Sequence, residues 1–146
     1  MNKRDFTRIT EPLKKVGASF YPENKKTLPL IIEGTSMPLA QKHIELKGSA
    51  QVKGMLCLSA LSTPGITTIE EKKISRNHTE IFLEKIKANI KIKKLKKGNL
   101  ISIKGQKNLN SFDYNVSSDP SSAAFLIALA LLTPGSKLII NNVLCN

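Results

Sequence analysis

Two patterns of hydrophobic residues occur along the chain, and they predict two kinds of helix. In Phe6–Val16 and Thr79–Lys87, apolar residues recur every three or four positions, which is typical of an amphipathic helix. In Ala50–Leu61 and Ser121–Leu132, apolar residues surround the helix axis almost completely, which is typical of a helix in a protein interior. A Thr-Pro-Gly sequence follows each apolar segment and ends the helix.

Between the helices, short stretches of alternating polar and apolar residues predict β-strands. Two pairs of them, each joined by a polar turn, predict hairpins: Ala18–Tyr21 with Leu30–Glu33, and Asn89–Lys93 with Leu100–Lys104. Four more strands are predicted beside the apolar helices, at His43–Lys47, Ile66–Glu70, Asp113–Val116 and Lys137–Asn141. The chain is therefore predicted to be an α/β protein in which the apolar helices lie inside and the sheets lie outside.

The order of these elements occurs twice along the chain. When the sequence is shifted by 70 positions, Thr63-Pro64-Gly65 falls on Thr133-Pro134-Gly135, and Leu30-Ile31 falls on Leu100-Ile101. A fixed period of this kind indicates repeated supersecondary units, here at about 4–73 and 74–143. Because such a unit does not bury its apolar face alone, and three or more usually form a stable body, we expect the chain to be truncated at both ends.

The composition is that of a globular protein. Of the 146 residues, 40% are hydrophobic and 23% are charged, which disfavours a disordered chain. The longest apolar run, Ala123–Leu132, has half of the roughly 20 residues that a membrane-spanning helix needs. No apolar signal region follows Met1–Asp5. We therefore expect a cytoplasmic protein without a membrane partner.

The strongly basic charge raises the alternative of a nucleic-acid-binding protein. The chain has 23 Lys and Arg against 11 Asp and Glu, a net charge of +12. Few of these cations are arginines, the residue type that best reads base edges and phosphates. The densest lysine run, Lys85–Lys97, is interleaved with Ile and Leu rather than with aromatic residues that stack on bases. A solvated lysine face is favoured, and a basic module that binds RNA or another polyanion stays as an alternative function.

The cysteines and histidines do not indicate a metal site. Cys57 lies in an apolar run and Cys145 has no partner at ligand spacing, so no disulfide or zinc framework is predicted. His43 and His78 are likewise not spaced as metal ligands.

The sequence Gly48-Ser49-Ala50-Gln51 stands where a predicted strand meets an apolar helix. A hydroxyl and an amide side chain would lie there beside the free N–H groups of the helix N-terminus, which can bind an anion. The simpler interpretation, favoured on spacing alone, is that Ser49 only caps the helix.

Arginines stand at the entry of both amphipathic helices. Arg76 precedes the second helix, where the positive end of the helix dipole disfavours a cation unless an anion lies beside it. The alternative is an exposed arginine paired with Glu80, four residues later. Arg4 and Arg8 form a basic cluster at the first helix. Two such entries facing the same side would form a cleft that attracts phosphate.

Four runs of residues resemble one enzyme family when they are taken together. They are Gly48–Lys53 (Gly-Ser-Ala-Gln-Val-Lys), Ser62–Thr68, Ser75–Glu80 (Ser-Arg-Asn-His-Thr-Glu) and Asp119–Phe125. In order and spacing they closely resemble the 5-enolpyruvylshikimate-3-phosphate synthases of the bacterial type that has Ser-Ala-Gln. The resemblance covers essentially all of Lys3–Asn146. It implies an inside-out α/β barrel of repeated units, with residues 1–117 in a partial N-terminal lobe and residues 118–146 as the first elements of the second lobe.

The resemblance also implies a reaction and a set of binding residues. The family transfers the enolpyruvyl group of phosphoenolpyruvate to the 5-hydroxyl of shikimate 3-phosphate and releases phosphate, in chorismate and aromatic amino acid biosynthesis, without a metal or organic cofactor. Arg4 matches an arginine that holds phosphoenolpyruvate. The triplet Ser49, Ala50 and Gln51 matches residues that hold shikimate 3-phosphate, and Gln51 also reaches the enolpyruvate. Arg76 matches a further contact to shikimate 3-phosphate.

The acid and the base that transfer protons in this family have no counterpart in the chain. No catalytic residue is therefore assigned, and we expect the chain to be inactive alone. The full-length enzyme is expected to be a monomer that does not bind nucleic acid. A second alternative is the enolpyruvyl transferase that acts on UDP-N-acetylglucosamine, which resembles this fold but lacks the Ser-Ala-Gln-Val-Lys run.

Overall fold

The computed structural model describes residues 3–106 and 108–144. Its helices are α1 (Thr7–Val16), α2 (Ala50–Leu61), α3 (His78–Lys85) and α4 (Pro120–Leu132). Its strands are β1 (Ser19–Tyr21), β2 (Ile31–Glu33), β3 (Lys42–Glu45), β4 (Ile66–Glu71), β5 (Ile90–Lys94) and β6 (Asn99–Lys104). One compact unit ends at Phe112 and a second begins at Asp113. The lobe boundary at residues 117 and 118 stays a prediction about a longer protein.

The strands of the first unit form two sheets. β1 and β2 pair as an antiparallel hairpin, and the other four strands form a sheet in the order β3-β4-β6-β5. In that sheet β3 and β4 are parallel, whereas β6 is antiparallel to both of its neighbours, β4 and β5. Both predicted hairpins are confirmed, and the strands of this unit begin and end within two residues of the predicted bounds.

Helix α2 lies at the centre of the first unit. It contacts α1, α3, β4 and β6. Residues Leu56 and Cys57 are completely buried, and they belong to an apolar cluster that also includes side chains of α3 and of the sheet. Complete burial of a leucine side chain stabilises a fold by roughly 1.5–3 kcal/mol. The prediction that this apolar helix lies in the interior is therefore confirmed.

Exposed lysines lie along β5 and in the segments on either side of it. β5 is an edge strand and carries Lys91, Lys93 and Lys94 on exposed positions. Lysines on an edge strand hinder its pairing with another chain, because pairing would bring their charges together. The prediction of a solvated face is confirmed for six lysines, which are Lys85, Lys87, Lys93, Lys94, Lys96 and Lys97.

The described residues of the second unit form helix α4 and segments without regular secondary structure. The strands predicted at Asp113–Val116 and Lys137–Asn141 are not formed, and these segments meet in a bridge between Ser118 and Val143. A strand is stable only where its backbone N–H and C=O groups pair along a neighbouring strand. The single bridge does not supply such a ladder, so these two predictions are wrong for this structure.

The burial predicted for α4 is wrong as well. Only Ala123 of this helix is buried, and the side chains of Phe125, Leu131 and Leu132 are each 82% exposed. The other described residues of this unit form no helix and no β-ladder, so the unit offers no second packed element to cover an apolar helix of 13 residues. The helix therefore leaves an apolar patch exposed. Among the described residues, no helix is both long and apolar enough to cross a membrane.

We predict that the 146-residue chain self-associates through α4, because exposed apolar patches of this kind drive association. The substitutions Phe125→Gln and Leu131→Gln together should shift the chain toward monomer in sedimentation velocity. Ile31→Gln, which alters an apolar side chain exposed on β2, is the matched control. Equal shifts for the two variants would show that α4 is not the contact surface.

Candidate functional site

The two parallel strands of the large sheet end on the same type of residue. Glu45 ends β3 and Glu71 ends β4, and the two residues are paired in the register of the sheet. Each is followed by a short loop and then, respectively, by α2 and α3. Parallel strands have their carboxyl ends on the same side of a sheet, so both helix entries lie on that side. Proteins with α/β folds commonly bind ligands beyond the carboxyl ends of their strands.

Each of these glutamates holds the loop that follows it. Glu45 Oε1 accepts hydrogen bonds from the backbone N–H of Lys47 at 2.9 Å and of Ser49 at 3.4 Å. Glu71 Oε1 accepts from the backbone N–H of Ser75 at 2.7 Å and from the Ser75 hydroxyl. In both loops the serine stands four residues after the glutamate. The two helix entries are therefore fixed by the same contact.

The Ser49 side chain caps α2. Its hydroxyl oxygen accepts a hydrogen bond from the Val52 N–H at 3.3 Å, and its backbone is extended, as is usual for an N-cap residue. The interpretation of Ser49 as a helix cap is thus confirmed. The cap leaves the hydroxyl proton available for a second contact, since a serine hydroxyl can accept and donate at the same time.

A cleft of about 540 Å³ lies between the start of α2 and the start of α3. Ala50 and Gln51 line it from α2, and Arg76 lines it from the loop before α3. Arg76 is exposed. The remaining lining residues are Gly54, Met55, Leu58, His78 and Thr79. The resemblance assigns five residues to substrate binding. Three of them, Ala50, Gln51 and Arg76, are brought together at this cleft.

Ser49 belongs to a neighbouring cleft of about 600 Å³, lined by α1, β3 and the loop after β3. Of the residues that the resemblance assigns to shikimate 3-phosphate, Ala50, Gln51 and Arg76 therefore share one cleft, and Ser49 does not line it. The reason is helix geometry, because residues two positions apart at the start of a helix point to different sides. Ser49 and Gln51 consequently face different clefts.

Arg8 connects the two clefts. It lines the cleft that contains Ser49, and its Nη2 donates to Gln51 Oε1 across 3.5 Å. The sequence placed Arg8 in a basic cluster but not among the binding residues. Arg4, which was selected, is exposed and lines neither of the two clefts. The available signal was position, since Arg8 lies in the first turn of α1, whereas Arg4 precedes the helix.

Beneath the cleft lies a buried charge cluster that sequence reasoning did not find. Lys53 of α2 is 0% exposed, and its Nζ lies 3.1 Å from Glu71 Oε1 and 2.6 Å from Glu80 Oε1. Glu71 Oε2 also accepts from Asn99 Nδ2 at 3.4 Å. Glu80 is buried in the first turn of α3, so the alternative in which it pairs with Arg76 is wrong. Its carboxylate pairs with Lys53 instead, because it faces α2.

Two groups in this region have shifted pKa values. Burial opposes ionisation of Glu71, but hydrogen bonds from Ser75 and Lys53 outweigh it and lower the pKa of this carboxyl from its ordinary 4.5. Burial, together with the neighbouring Glu80 carboxylate, raises the pKa of the Cys57 thiol to about 12. Cys57 is therefore an unreactive core thiol. In the part of the chain that the structure describes, which excludes Cys145, no group of His, Cys, Asp and Glu side chains could hold a metal ion.

The fold and the two helix entries define a class of protein. The structure has the enolpyruvyl transferase fold, as shown by its similarity to two solved structures of EPSP synthase from Acinetobacter baumannii. One has a TM-score of 0.75 at 32% identity and is matched over 99% of this chain and 32% of that chain. The other has a TM-score of 0.71 at 34% identity, over 88% of this chain and 28% of that chain.

Sequence similarity identifies the family within this class. The family model for EPSP synthase (3-phosphoshikimate 1-carboxyvinyltransferase) matches residues 1–146, and the chain belongs to this family. It is 38% identical to a 3-phosphoshikimate 1-carboxyvinyltransferase of Rhodopseudomonas palustris and 40% identical to one of Helicobacter pylori, in each case over 100% of this chain and 33% of the relative. The chain thus spans about a third of the length of the curated relatives that it matches. The predicted family and fold are confirmed.

We predict that Lys53→Met strongly destabilises the fold. The substitution leaves two buried carboxylates without their cation, and loss of one partner of a buried ion pair costs about 3–5 kcal/mol. The free energy of unfolding in urea should fall by this amount. Lys72→Met, which breaks the more exposed pair with Glu70, should cost less than about 1 kcal/mol. Similar small losses in the two variants would contradict a stabilising role for the cluster.

We also predict an acid-dependent loss of stability that involves Glu71. Its pKa is lower in the folded protein than in the unfolded chain, so its contribution is complete above the ordinary value of 4.5 and is lost as the pH falls below it. Thermal melting between pH 7 and pH 3 should therefore show a smaller acid-induced decrease for Glu71→Gln than for the unchanged chain. Glu70→Gln, on the same strand, should retain the full decrease.

Proposed function

We propose that this chain supplies the shikimate 3-phosphate-binding part of an enzyme that makes 5-enolpyruvylshikimate 3-phosphate. In the proposed reaction, the enolpyruvyl group of phosphoenolpyruvate is transferred to the 5-hydroxyl of shikimate 3-phosphate, and inorganic phosphate is released. The observation that carries the proposal is the cleft in which Ala50, Gln51 and Arg76 meet at the start of two helices. Membership of the EPSP synthase family supports the identity of the substrates.

The cleft has the groups that a phosphate monoester requires. The Arg76 guanidinium is a planar fork that can donate two hydrogen bonds to phosphate oxygens. The start of α2 adds backbone N–H groups and the positive end of the helix dipole. An anion between α2 and Arg76 also removes the electrostatic conflict of a cation at the entry of α3.

Gln51 is proposed to contact both substrates. Its Oε1 accepts from Arg8, so the amide nitrogen is the atom that can donate to a substrate oxygen. The Arg8 contact thereby favours an orientation in which the Gln51 amide nitrogen faces the substrate. Ser49 is proposed to donate its hydroxyl proton to shikimate 3-phosphate while it accepts from Val52. Arg4 is proposed to hold phosphoenolpyruvate.

The chain's proposed role is binding rather than turnover. Each positioned acid or base typically contributes roughly 10²- to 10⁴-fold to a rate, and none of the proposed residues acts as one. The groups that transfer protons are proposed to lie elsewhere in the whole enzyme, which acts as a monomer in chorismate and aromatic amino acid biosynthesis. We place it in the cytoplasm, because its phosphorylated substrates are anions that do not cross a lipid bilayer unaided.

We predict that shikimate 3-phosphate binds this chain and that Arg76→Ala weakens binding about tenfold or more, since a hydrogen bond to a charged group contributes roughly 1.5–3 kcal/mol. The measurement is an NMR titration of the ¹⁵N-labelled chain, with chemical shifts followed at Gln51 and Thr79, which line the cleft and are present in both variants. Shikimate, which lacks the phosphate, should bind more weakly and should be insensitive to the substitution.

Lys97→Ala provides the matched control for the loss of a cation. Lys97 is exposed between β5 and β6 and lines neither cleft, so its removal should leave the affinity for shikimate 3-phosphate unchanged. Equal affinities for shikimate and shikimate 3-phosphate, or equal effects of the Lys97 and Arg76 substitutions, would contradict the proposed phosphate site.

A further inference from the structure

We propose that Glu71 and Ser75 are positioning residues for substrate phosphate, which act by fixing the loop that presents Arg76. This inference rests on the proposed function of the cleft and assigns a role to side chains that do not touch the ligand. Arg76 follows Ser75 directly and is exposed at the edge of the cleft. Whatever fixes Ser75 therefore fixes the backbone from which the guanidinium extends.

The loop is held on both sides of Arg76. Before it, Ser75 donates its backbone N–H and its hydroxyl to the same oxygen of Glu71, with the N–H at 2.7 Å. After it, Glu80 in the first turn of α3 pairs with Lys53 at 2.6 Å. Both attachments lead to Lys53, whose Nζ also lies 3.1 Å from Glu71 Oε1. The loop and the start of α3 are consequently tied to one buried ammonium group.

The Glu71 carboxylate is itself held firmly. Lys53 donates to one of its oxygens and Asn99 to the other, at 3.1 and 3.4 Å. The backbone of Gly98 also approaches so closely that a Cβ there would lie 1.7 Å from the Glu71 carbonyl oxygen. Glu71 is thus surrounded by groups from α2, β6 and the turn before β6, and it has little room to move.

The same helix supports both sides of the cleft. α2 carries Gln51, which lines the cleft, and Lys53, which holds Glu71 beneath it. The backbones that carry Gln51 and Arg76 are therefore linked by a short chain of contacts, in which Lys53 and Glu71 are buried and Ser75 is half-buried. Because folding has already fixed the loop, a ligand does not have to order it, and this preorganisation increases affinity.

The other helix entry offers an internal comparison. Glu45 accepts from the Ser49 N–H at 3.4 Å, as Glu71 accepts from that of Ser75. At Glu45 the serine hydroxyl is not used in this contact, because it caps α2. At Glu71 the hydroxyl is a second donor to the carboxylate. The additional contact is found in the loop that carries the phosphate-facing arginine.

The test measures the contribution of the phosphate group to affinity. For the 146-residue chain, this contribution is the ratio of the affinities for shikimate 3-phosphate and for shikimate, both from NMR titration. Ser75→Ala removes the hydroxyl donor but keeps the backbone N–H, and it should lower the ratio about fivefold, the typical effect of one hydrogen bond. Glu71→Gln, which keeps an acceptor oxygen but loses the charge, should lower it as well. Ser62→Ala also removes one hydroxyl hydrogen bond, away from the cleft, and should have no effect.

A double-mutant cycle distinguishes positioning from a general loss of structure. If Ser75 acts through Arg76, Ser75→Ala should have no further effect on the ratio in an Arg76→Ala chain. A merely structural role would lower the affinity for shikimate too, and would lower binding equally in the two backgrounds. Ser75→Ala is the milder variant and decides the question if Glu71→Gln does not fold.

The outcomes separate this inference from the proposed function. If the unchanged chain binds shikimate and shikimate 3-phosphate equally, or if Arg76→Ala leaves the ratio unchanged, the phosphate site is wrong and this inference fails with it. If Arg76→Ala lowers the ratio while Ser75→Ala does not, only the positioning role is overturned. Equal effects of Ser75→Ala with and without Arg76 would also overturn it.

Discussion

The structure of the first unit depends on the burial of one ammonium group. Lys53 lies in an otherwise apolar helix and is completely removed from solvent, which is costly unless its charge is balanced by close partners. Glu71 and Glu80 supply those partners from β4 and α3, two carboxylates around one ammonium group. Because each carboxylate is buried beside the lysine, the cluster disfavours any packing of α2, β4 and α3 that separates these three side chains. The ion cluster thus selects a packing that apolar contacts alone leave less defined.

This arrangement places the candidate site at the carboxyl ends of β3 and β4. Glu45 and Glu71 are neighbours in register, and two carboxylates side by side repel each other. The repulsion is offset because each is occupied by donors, Glu45 by the N–H groups of its loop and Glu71 by Lys53 and Ser75. The two carboxylates that stand at the ends of β3 and β4 also hold the loops before α2 and α3. The cleft between these entries is therefore a consequence of how the strand ends are satisfied.

The parts of the fold that could be predicted from sequence are those determined locally. The helix bounds of α2 and both hairpins follow from periodicity and turn residues, which act within a few positions along the chain. Residues 113–116 and 137–141 have strand patterns but form no strands, because pairing needs a partner that the pattern does not specify. Lys53 was missed because a lysine is ordinarily solvent-exposed, and its two partners are 18 and 27 residues away. The shared cleft of Gln51 and Arg76 was expected from the family resemblance rather than from any spacing rule.

The two apolar helices also show that a local sequence pattern does not determine whether a helix is buried. α2 and α4 have similar patterns, each has a side-chain cap, and each is followed by a Thr-Pro-Gly sequence. One is buried and the other exposes most of its apolar side chains. The difference does not lie in the helices, since α2 is covered by α1, α3 and a sheet, whereas the described residues of its own unit give α4 no other helix or strand. The local pattern therefore determines that a segment is helical and apolar, whereas its burial depends on surfaces supplied by other parts of the chain. A binding site that relies on helix position can form only where such a covering surface exists, and in the described residues it exists around α2.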